Sequence, residues 1–468
     1  MNSSLPQAPS LEHLRKQAKD LLRAYRTGDA AVVERIKAVH PHPAASMRLA
    51  DAQLVIAREY GYASWPRLKA YVERVVAQGP EVQHAFRSDI DYYEGRASGL
   101  YASALDGTPS AVAHFERWRQ PVTEAGARRV VAREHGMASW AAFRRHVSSL
   151  REGPEPFARA YLAIETHDVE GLRHELDRWP QLVTARGTNG NDLLGMASAN
   201  CNEQLVSLLL ERGADPARPN VHGWTPLHQV AQIGMIPLAQ MLLEAGASVD
   251  VSARGDGGTP LIAALFWGKS DMARLLAEHG VFPRNLRAAA GLGRIELIEE
   301  LVSVDGRVAS DAGDHRAFYR PHSGFPAWRP SPDSQEVLDE ALSWASRNDR
   351  GESISLLVAR GARIDADVYR GTALAWAAAC GCTRAATRLI ELGAAPNCRT
   401  TFGGPGHGDN VTALHLAAQN GHVEVIKTLL DAGADLTLRD ALYDSTPAGW
   451  AEHEGQPGAL ELLRARGG

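Results

Sequence analysis

The sequence predicts an all-α fold, in which stacked helix pairs form a solenoid behind a duplicated small helical region. The main observation is a fixed period: the threonines of similar segments lie 34 residues apart at Thr225 and Thr259, and again at Thr412 and Thr446. A second observation is that each segment is apolar at helical spacing but too short to bury a core alone. Neighbouring copies must therefore stack and share an interior.

The copy from Asn410 to Ala441 shows the plan of one helix pair. Thr412 precedes a short apolar segment and is placed to cap the free amides of a first helix. Gly421 permits a tight turn, and Gly433 ends a second helix. The apolar positions of that second helix are Val425, Ile426, Leu429 and Leu430.

Short motifs identify the repeat. T-P-L-H stands at Thr225–His228, T-A-L-H at Thr412–His415, and G-A-D at residues 213–215 and 433–435. These motifs resemble the ankyrin repeat, over residues 155–468. The resemblance implies about eight or nine units, a concave groove, a row of β-turn fingers, and protein recognition as the usual task. We expect the imidazoles of His228 and His415 to bond backbone in the turn of an adjacent copy.

The first 150 residues contain a duplication of their own. The pattern A-R-E-x-G-x-A-S-W occurs at Ala57–Trp65 and again at Ala132–Trp140. The predicted domains are helical modules over 1–80 and 81–154, followed by the solenoid over 155–468. The duplicated region resembles the leader that precedes ankyrin repeats in some bacterial proteins. We expect Trp65 and Trp140 to anchor the module cores, with ligand stacking as the alternative.

Two insertions break the period, a long one at about 305–334 and a shorter one between Cys398 and Thr412. In the ankyrin plan both occupy finger positions, so we expect them to project from the same edge. The long insertion is rich in arginine and aromatic residues, which binding surfaces select. Packing into a gap, with arginines pairing acidic neighbours, is the alternative. The predicted partner- or ligand-binding residues are His315, Arg316, Tyr319, Arg320, His322, Trp328, Arg329, Phe402, His407, Asp409, Tyr443 and Asp444.

No catalytic residue, metal ligand or cofactor is predicted. The chain has no H-E-x-x-H or C-x-x-C pattern, and the glycine-rich run at 403–408 lacks the Lys-Ser/Thr of a phosphate loop. We therefore expect an interaction scaffold or regulator that binds another protein. The alternative is an enzyme or small-anion sensor with a pocket under residues 313–334. There Arg316, Arg320 and Arg329 would grip a carboxylate or phosphate, with His315 or His407 as acid–base groups.

Charge and composition limit the classes of partner that we expect for this protein. Residues 1–150 hold 21 Lys+Arg against 15 Asp+Glu (+6), and the remainder holds 29 against 40 (−11), which gives the net charge of −5. This asymmetry is too mild to favour nucleic acid as a partner. No apolar run approaches the roughly 18 residues of a membrane helix, and no secretory signal is expected at the start. The four scattered cysteines fit a reducing cytoplasm.

Overall fold

A computed structural model describes residues 10–40, 47–60, 62, 64–78, 82–105, 107–150, 155–187, 190–253, 258–280, 282–316, 330–402 and 410–467. These residues form 26 α-helices and no strand longer than an isolated bridge, which confirms the all-α prediction. The chain divides into an N-terminal unit, mainly residues 1–226, and a C-terminal unit, mainly residues 227–468. None of the described helices is both long enough and apolar enough to span a bilayer.

Eight helices of the N-terminal unit make up the duplicated region, four for each copy. The first copy has α1 (Leu11–Arg26), α2 (Ala30–Val39), α3 (Leu49–Glu59) and α4 (Trp65–Gln78). The second has α5 (Ile90–Leu105), α6 (Pro109–Arg117), α7 (Glu124–Glu134) and α8 (Trp140–Ser149). Ser139 caps α8 by accepting a hydrogen bond from the amide of Ala142.

The repeated glutamate has the same structural role in both copies. Glu59 is buried and forms a bidentate ion pair with Arg35 of α2, with N···O distances of 2.5 and 2.7 Å. Its counterpart Glu134 is buried and pairs with Arg96 at 3.0 Å and with His114 of α6. Arg35 and His114 are each the sixth residue of their helices, so the duplication extends to the partner of the buried carboxylate.

The same unit holds the first two helix pairs of the solenoid: α9 (Pro156–Glu165) with α10 (Val169–Arg178), and α11 (Leu193–Ala199) with α12 (Glu203–Glu211). A short 3-10 helix, Pro180–Thr184, lies between them. The segment before α5 packs on α9: Arg87 donates to the hydroxyl of Tyr161 at 2.8 Å, and the rings of Phe86 and Tyr161 lie 4.1 Å apart. The duplicated region and the first pair therefore share an interior.

The C-terminal unit consists of seven further pairs. They are α13 (Pro226–Ile233) with α14 (Ile236–Glu244), α15 (Pro260–Phe266) with α16 (Ser270–His279), α17 (Leu286–Leu292) with α18 (Ile295–Leu301), α19 (Ser334–Arg347) with α20 (Gly351–Ala359), α21 (Ala373–Ala379) with α22 (Thr383–Glu391), α23 (Ala413–Gln419) with α24 (Val423–Asp431), and α25 (Pro447–His453) with α26 (Pro457–Ala465). The described chain thus contains nine pairs, within the predicted eight or nine.

The local chemistry of each pair follows the sequence plan. Thr259, Thr372 and Thr446 cap their first helices through the side-chain oxygen. The imidazole of His228 contacts the carbonyl of Gly258 at 3.1 Å, and that of His415 contacts the carbonyl of Ser445 at 3.1 Å. Both acceptors lie 30 residues further along, so the expected bond to the next copy is confirmed.

The sixth pair departs from the plan because α19 has 14 residues where the first helices on either side have seven. Its end reaches past α17 to α15. Arg347 donates to the carbonyl of Phe266 at 3.2 Å, and Asn348 donates to that of Leu265 at 2.8 Å. The fourth pair therefore contacts the sixth directly.

Candidate functional site

Five of the predicted binding residues lie in the described part of the chain: His315, Arg316, Phe402, Tyr443 and Asp444. The other predicted residues lie outside it: Tyr319, Arg320, His322, Trp328, Arg329, His407 and Asp409. His315, Tyr443 and Asp444 are exposed, Phe402 is half-buried, and Arg316 is buried. The structure therefore gives the positions of the described ends of the two insertions. That both insertions project from the same edge of the stack stays a prediction.

Arg316, within the long insertion, lies in a buried ion-pair cluster. Its guanidinium donates to Glu336 at 3.0 Å and to the carbonyl of Ser331 at 2.5 Å. It also forms an ion pair with Glu340 at 2.9 Å, although the N–H is not aligned as a hydrogen bond. Glu340 accepts a hydrogen bond from the buried Arg287 at 3.0 Å on its other oxygen. Arg316 thus fastens the described part of the insertion to α19.

Next to this cluster, the side chain of Arg347 is enclosed by aromatic rings. Its guanidinium carbon lies 3.7 Å from the ring centroid of Trp376, 4.8 Å from that of Phe266 and 5.4 Å from that of Trp344. Phe402, at the start of the shorter insertion, packs on Trp376 with the centroids 4.7 Å apart. Both insertions therefore have their described ends against adjacent first helices, α19 and α21.

Arg347 is a cation without a carboxylate within 4 Å among the described residues. It donates hydrogen bonds to the carbonyl of Phe266 at 3.2 Å, to the hydroxyl of Ser343 at 2.8 Å and to the carbonyl of Ser343 at 3.4 Å. Burial lowers the pKa of Arg347 to about 10. It also lowers the pKa of Arg287, with Glu340 acting against this shift. The cavity beside these groups measures about 10 Å³, which is too small for an organic ligand, so this cluster is a packed core.

The last finger, residues 440–446, is an ordered loop that exposes Leu442 and Tyr443. The buried carboxylate of Asp440 accepts hydrogen bonds from the amides of Leu442, Tyr443 and Ser445, at 2.7 to 3.0 Å, and from the indole of Trp450 at 3.0 Å. Burial opposes these donors, but together they lower the pKa of Asp440. Asp440 therefore fixes a loop on which Tyr443 is 62% and Leu442 45% exposed.

A cavity of about 290 Å³ opens beside this finger. Its lining includes Tyr443 and Trp450, together with Gln419 of α23, His453 of α25 and Glu454, which follows α25. The indole of Trp450 is held by Asp440, so the wall has a fixed position. The combination of a preformed hollow, an aromatic wall and polar groups at its edge suits the side chain of a partner protein.

The finger between α20 and α21 and the N-terminal end of α19 line an open, acidic cleft of about 830 Å³. Among its described lining residues are Asp333, Glu336, Asp365 and Asp367, with Arg363 as the cation. The carboxylates also order the fingers: Asp365 accepts from the amide of Ala395, and Asp367 accepts from that of Gly371. The charged surface beside the insertions is therefore negative and held in place by its own hydrogen bonds.

The described residues give no sign of metal or thiol chemistry. No group of three His, Cys, Asp or Glu side chains within them is placed to hold a metal ion. Burial raises the pKa of both Cys380 and Cys382, which keeps these thiols protonated at neutral pH.

The sequence prediction missed the residues that surround Arg347. The sequence of α19 did contain a signal for this cluster. Four polar residues recur there at helical spacing, on a side that packs inward: Glu336, Glu340, Ser343 and Arg347. Such a polar stripe, in a helix without a T-P-L-H start, indicates a buried ionic cluster. The cavity beside Tyr443 had no signal of its own, because its walls come from two repeats.

Comparison with known proteins supports the repeat assignment. A family model described as ankyrin repeats (3 copies) matches residues 194–287, 342–440 and 398–467. The chain is 28% identical over 251 residues to ankyrin repeat domain-containing protein SAT10 of Stachybotrys chartarum, covering 47% of this chain and 12% of that protein. It is 33% identical over 107 residues to SMC5-SMC6 complex localization factor protein 1 of Bos taurus, covering 22% and 10%.

A third relative is the target of rapamycin complex 2 subunit AVO2 of Saccharomyces cerevisiae, 29% identical over 128 residues, covering 27% of this chain and 28% of that protein. In all three cases the match spans less than a third of the relative's length. The helix pairs, the histidine bonds between copies and the family match agree. The chain is therefore an ankyrin repeat domain-containing protein.

Proposed function

We propose that this protein is an interaction scaffold or regulator that binds another protein through the finger and concave face of its C-terminal unit. The main support for the proposal comes from the last finger. There, hydrogen bonds to Asp440 order the loop, and the side chains of Leu442 and Tyr443 are exposed beside a cavity of about 290 Å³. A preordered surface loses little entropy on association, and an aromatic residue at a hollow is a typical anchor. Two of the relatives carry names that place them with protein complexes, which supports this choice.

The partner's contact surface should be basic with an apolar anchor. Residues 227–468 hold 22 Lys+Arg against 29 Asp+Glu, a net charge of −7, and the finger cleft is lined by four carboxylates and Arg363. Complementary charge would speed association and fix the register of the partner, while the cavity beside Tyr443 would take an apolar side chain. We place this interaction in the bacterial cytoplasm, with which the four cysteines, all unpaired, are compatible.

The test is quantitative affinity capture from the native host, followed by binding measurements with the identified partner. Leu442→Ala and Tyr443→Ala should weaken binding by about tenfold or more while leaving the thermal unfolding midpoint unchanged. Leu162→Ala is the matched control, because Leu162 is 54% exposed on α9 in the N-terminal unit. Equal affinity of the wild type and both finger variants would place the interaction elsewhere.

The described residues do not favour the alternative of an enzyme or anion sensor under the long insertion. Arg316 and Arg287 are already paired through Glu340, and the adjoining cavity of about 10 Å³ has no room for a substrate.

A further inference from the structure

The N-terminal unit contains a second cleft, of about 920 Å³, that the proposed protein contact does not use. Its lining comes from the first helical copy, from α6, from the start of α9 and from the two fingers that follow the first two helix pairs. The volume falls within the range of sites for small organic molecules. The position, at the joint between the duplicated region and the repeats, makes it a site that the repeats alone would lack.

One wall of the cleft is a row of flat rings. Tyr62 and Tyr71 lie 5.3 Å apart between centroids, Tyr71 and His84 stack at 5.4 Å, and His84 and Phe157 stack at 5.3 Å. The last two pairs are inclined by only 23° and 19°. Such a wall can receive another flat ring at low cost in conformational entropy.

Buried charges hold this wall in place. Glu155 lies 3.5 Å from a ring nitrogen of His84 and 3.6 Å from the guanidinium of Arg74. Burial disfavours the carboxylate, but His84 and Arg74 outweigh it and lower the pKa of Glu155 to about 2. Glu155 is therefore ionised at neutral pH and fixes the position of His84, so the wall is preorganised.

The edge of the cleft is positive. Three arginines from separate segments line it, Arg117, Arg186 and Arg218, with one carboxylate in the described lining, Asp215. Arg218 also forms an ion pair with the buried Asp192 at 3.8 Å. Arg218 donates to the carbonyl of Thr184 at 2.7 Å and Arg186 to that of Pro219 at 3.5 Å, so each of these guanidinium groups is bonded to the other finger. An anion in the cleft would gain charge-assisted hydrogen bonds from them.

Two amide oxygens in the lining lack a donor. Within the described chain, Gln83 Oε1 and Gln181 Oε1 are buried and accept no hydrogen bond. Gln83 as a whole is only 8% exposed. Leaving a buried acceptor unsatisfied is costly, so these oxygens indicate a ligand with N–H or O–H donors.

We propose that this cleft binds a small organic anion that has a flat aromatic ring, at least one hydrogen-bond donor, and a carboxylate or phosphate group. The ring stacks on the wall of Tyr71, His84 and Phe157, the anionic group meets the three arginines, and the donor reaches Gln83 or Gln181. The proposal is independent of the protein contact at the last finger, and either can fail alone.

Isothermal titration of the full chain tests the proposal with two acids and their neutral analogues. AMP is compared with adenosine for a phosphate, and indole-3-acetate with indole-3-ethanol for a carboxylate. We expect one of the acids to bind at least about tenfold more tightly than its neutral analogue. The pair that shows the preference identifies the anionic group.

Arg117→Gln and Arg186→Gln, made separately, should each remove most of that preference. Arg117 is exposed on α6, so its variant keeps the test valid if Arg186→Gln proves unstable. Arg119→Gln, an exposed arginine two residues further on, is the matched control and should bind as the wild type does. Failure of both acids to bind more tightly than their analogues, or a preference that survives in the Arg117 variant, would overturn the proposal.

Discussion

The guanidinium carbon of Arg347 lies 3.7 Å from the ring centroid of Trp376, inside an aromatic enclosure that provides no carboxylate among the described residues. Arg347→Lys keeps the charge but loses the flat group that stacks on the ring. The variant should lower the free energy of unfolding of the C-terminal unit by about 2 kcal/mol. Urea unfolding followed by tryptophan fluorescence measures the change. Arg464→Lys, at an exposed position, should differ from wild type by less than about 0.5 kcal/mol.

Gly268 and Gly393 provide a second pair of matched substitutions. Both have positive φ, 66° and 99°, but a Cβ at Gly268 would lie 2.2 Å from the carbonyl oxygen of Arg347, whereas one at Gly393 meets nothing within 4 Å. Gly393→Ala should cost about 1 kcal/mol from backbone strain alone. Gly268→Ala should cost several kcal/mol more in urea unfolding, since α15 and α19 must separate. Similar losses in both variants would contradict the close approach.

His415→Leu tests the bond between neighbouring copies. The change removes the imidazole contact to the carbonyl of Ser445, which keeps the amide of Asp440 as a donor, so the expected cost is about 1 kcal/mol. Hydrogen exchange should quicken at the amides of the last finger, residues 440–446, more than elsewhere. His279→Leu is the control, because His279 is exposed and its ring bonds the carbonyl of Leu275 within its own helix. Unchanged exchange in the finger would argue against the bond.

The stability of the N-terminal unit should depend on pH through His135. Burial lowers the pKa of His135 to about 3, although Glu134 acts against this shift and His146 and Arg96 add to it. An unfolded histidine titrates near 6.5, so between these values the unfolded chain takes up a proton that the folded chain excludes. Stability should therefore rise with pH, and His135 should lower the free energy of unfolding by about 2 kcal/mol from pH 7 to pH 5. Burial also lowers the pKa of His146 to about 4, so His146 should add a fall of similar size.

His135→Gln should remove about half of that dependence, whatever it does to stability at pH 7, because His146 should supply the rest. Urea midpoints of the wild type and the variant at the two pH values give the comparison. A variant that retains the full slope would assign the titration to another group.

The sequence predicted those features that local chemistry determines. Thr372 caps a helix because its oxygen reaches an amide three residues away, and His415 bonds the next copy because the period fixes that distance. The sequence predicted Arg316 as a binding residue, with packing against acidic neighbours as the alternative. The sequence alone could not decide between these two roles. Only the fold shows that Glu336 and Glu340 surround it.

Other features depend on residues far apart in the chain. The second cleft joins Tyr71 to Arg218, and the enclosure of Arg347 joins Phe266 to Trp376. No spacing within one repeat encodes these contacts, because they depend on the length of α19 and on how the duplicated region packs on α9.

The reach of α19 to α15 changes how the C-terminal unit should lose its structure. In a regular array each unit touches only the units before and after it, so stability is a sum over successive joints and fraying proceeds one step at a time. Here Asn348 bonds Leu265 and Ser270 bonds Asn348 across the intervening pair. The fourth, fifth and sixth pairs should consequently unfold as one cooperative block. Deleting the fifth pair would bring together surfaces of the fourth and sixth pairs that do not match.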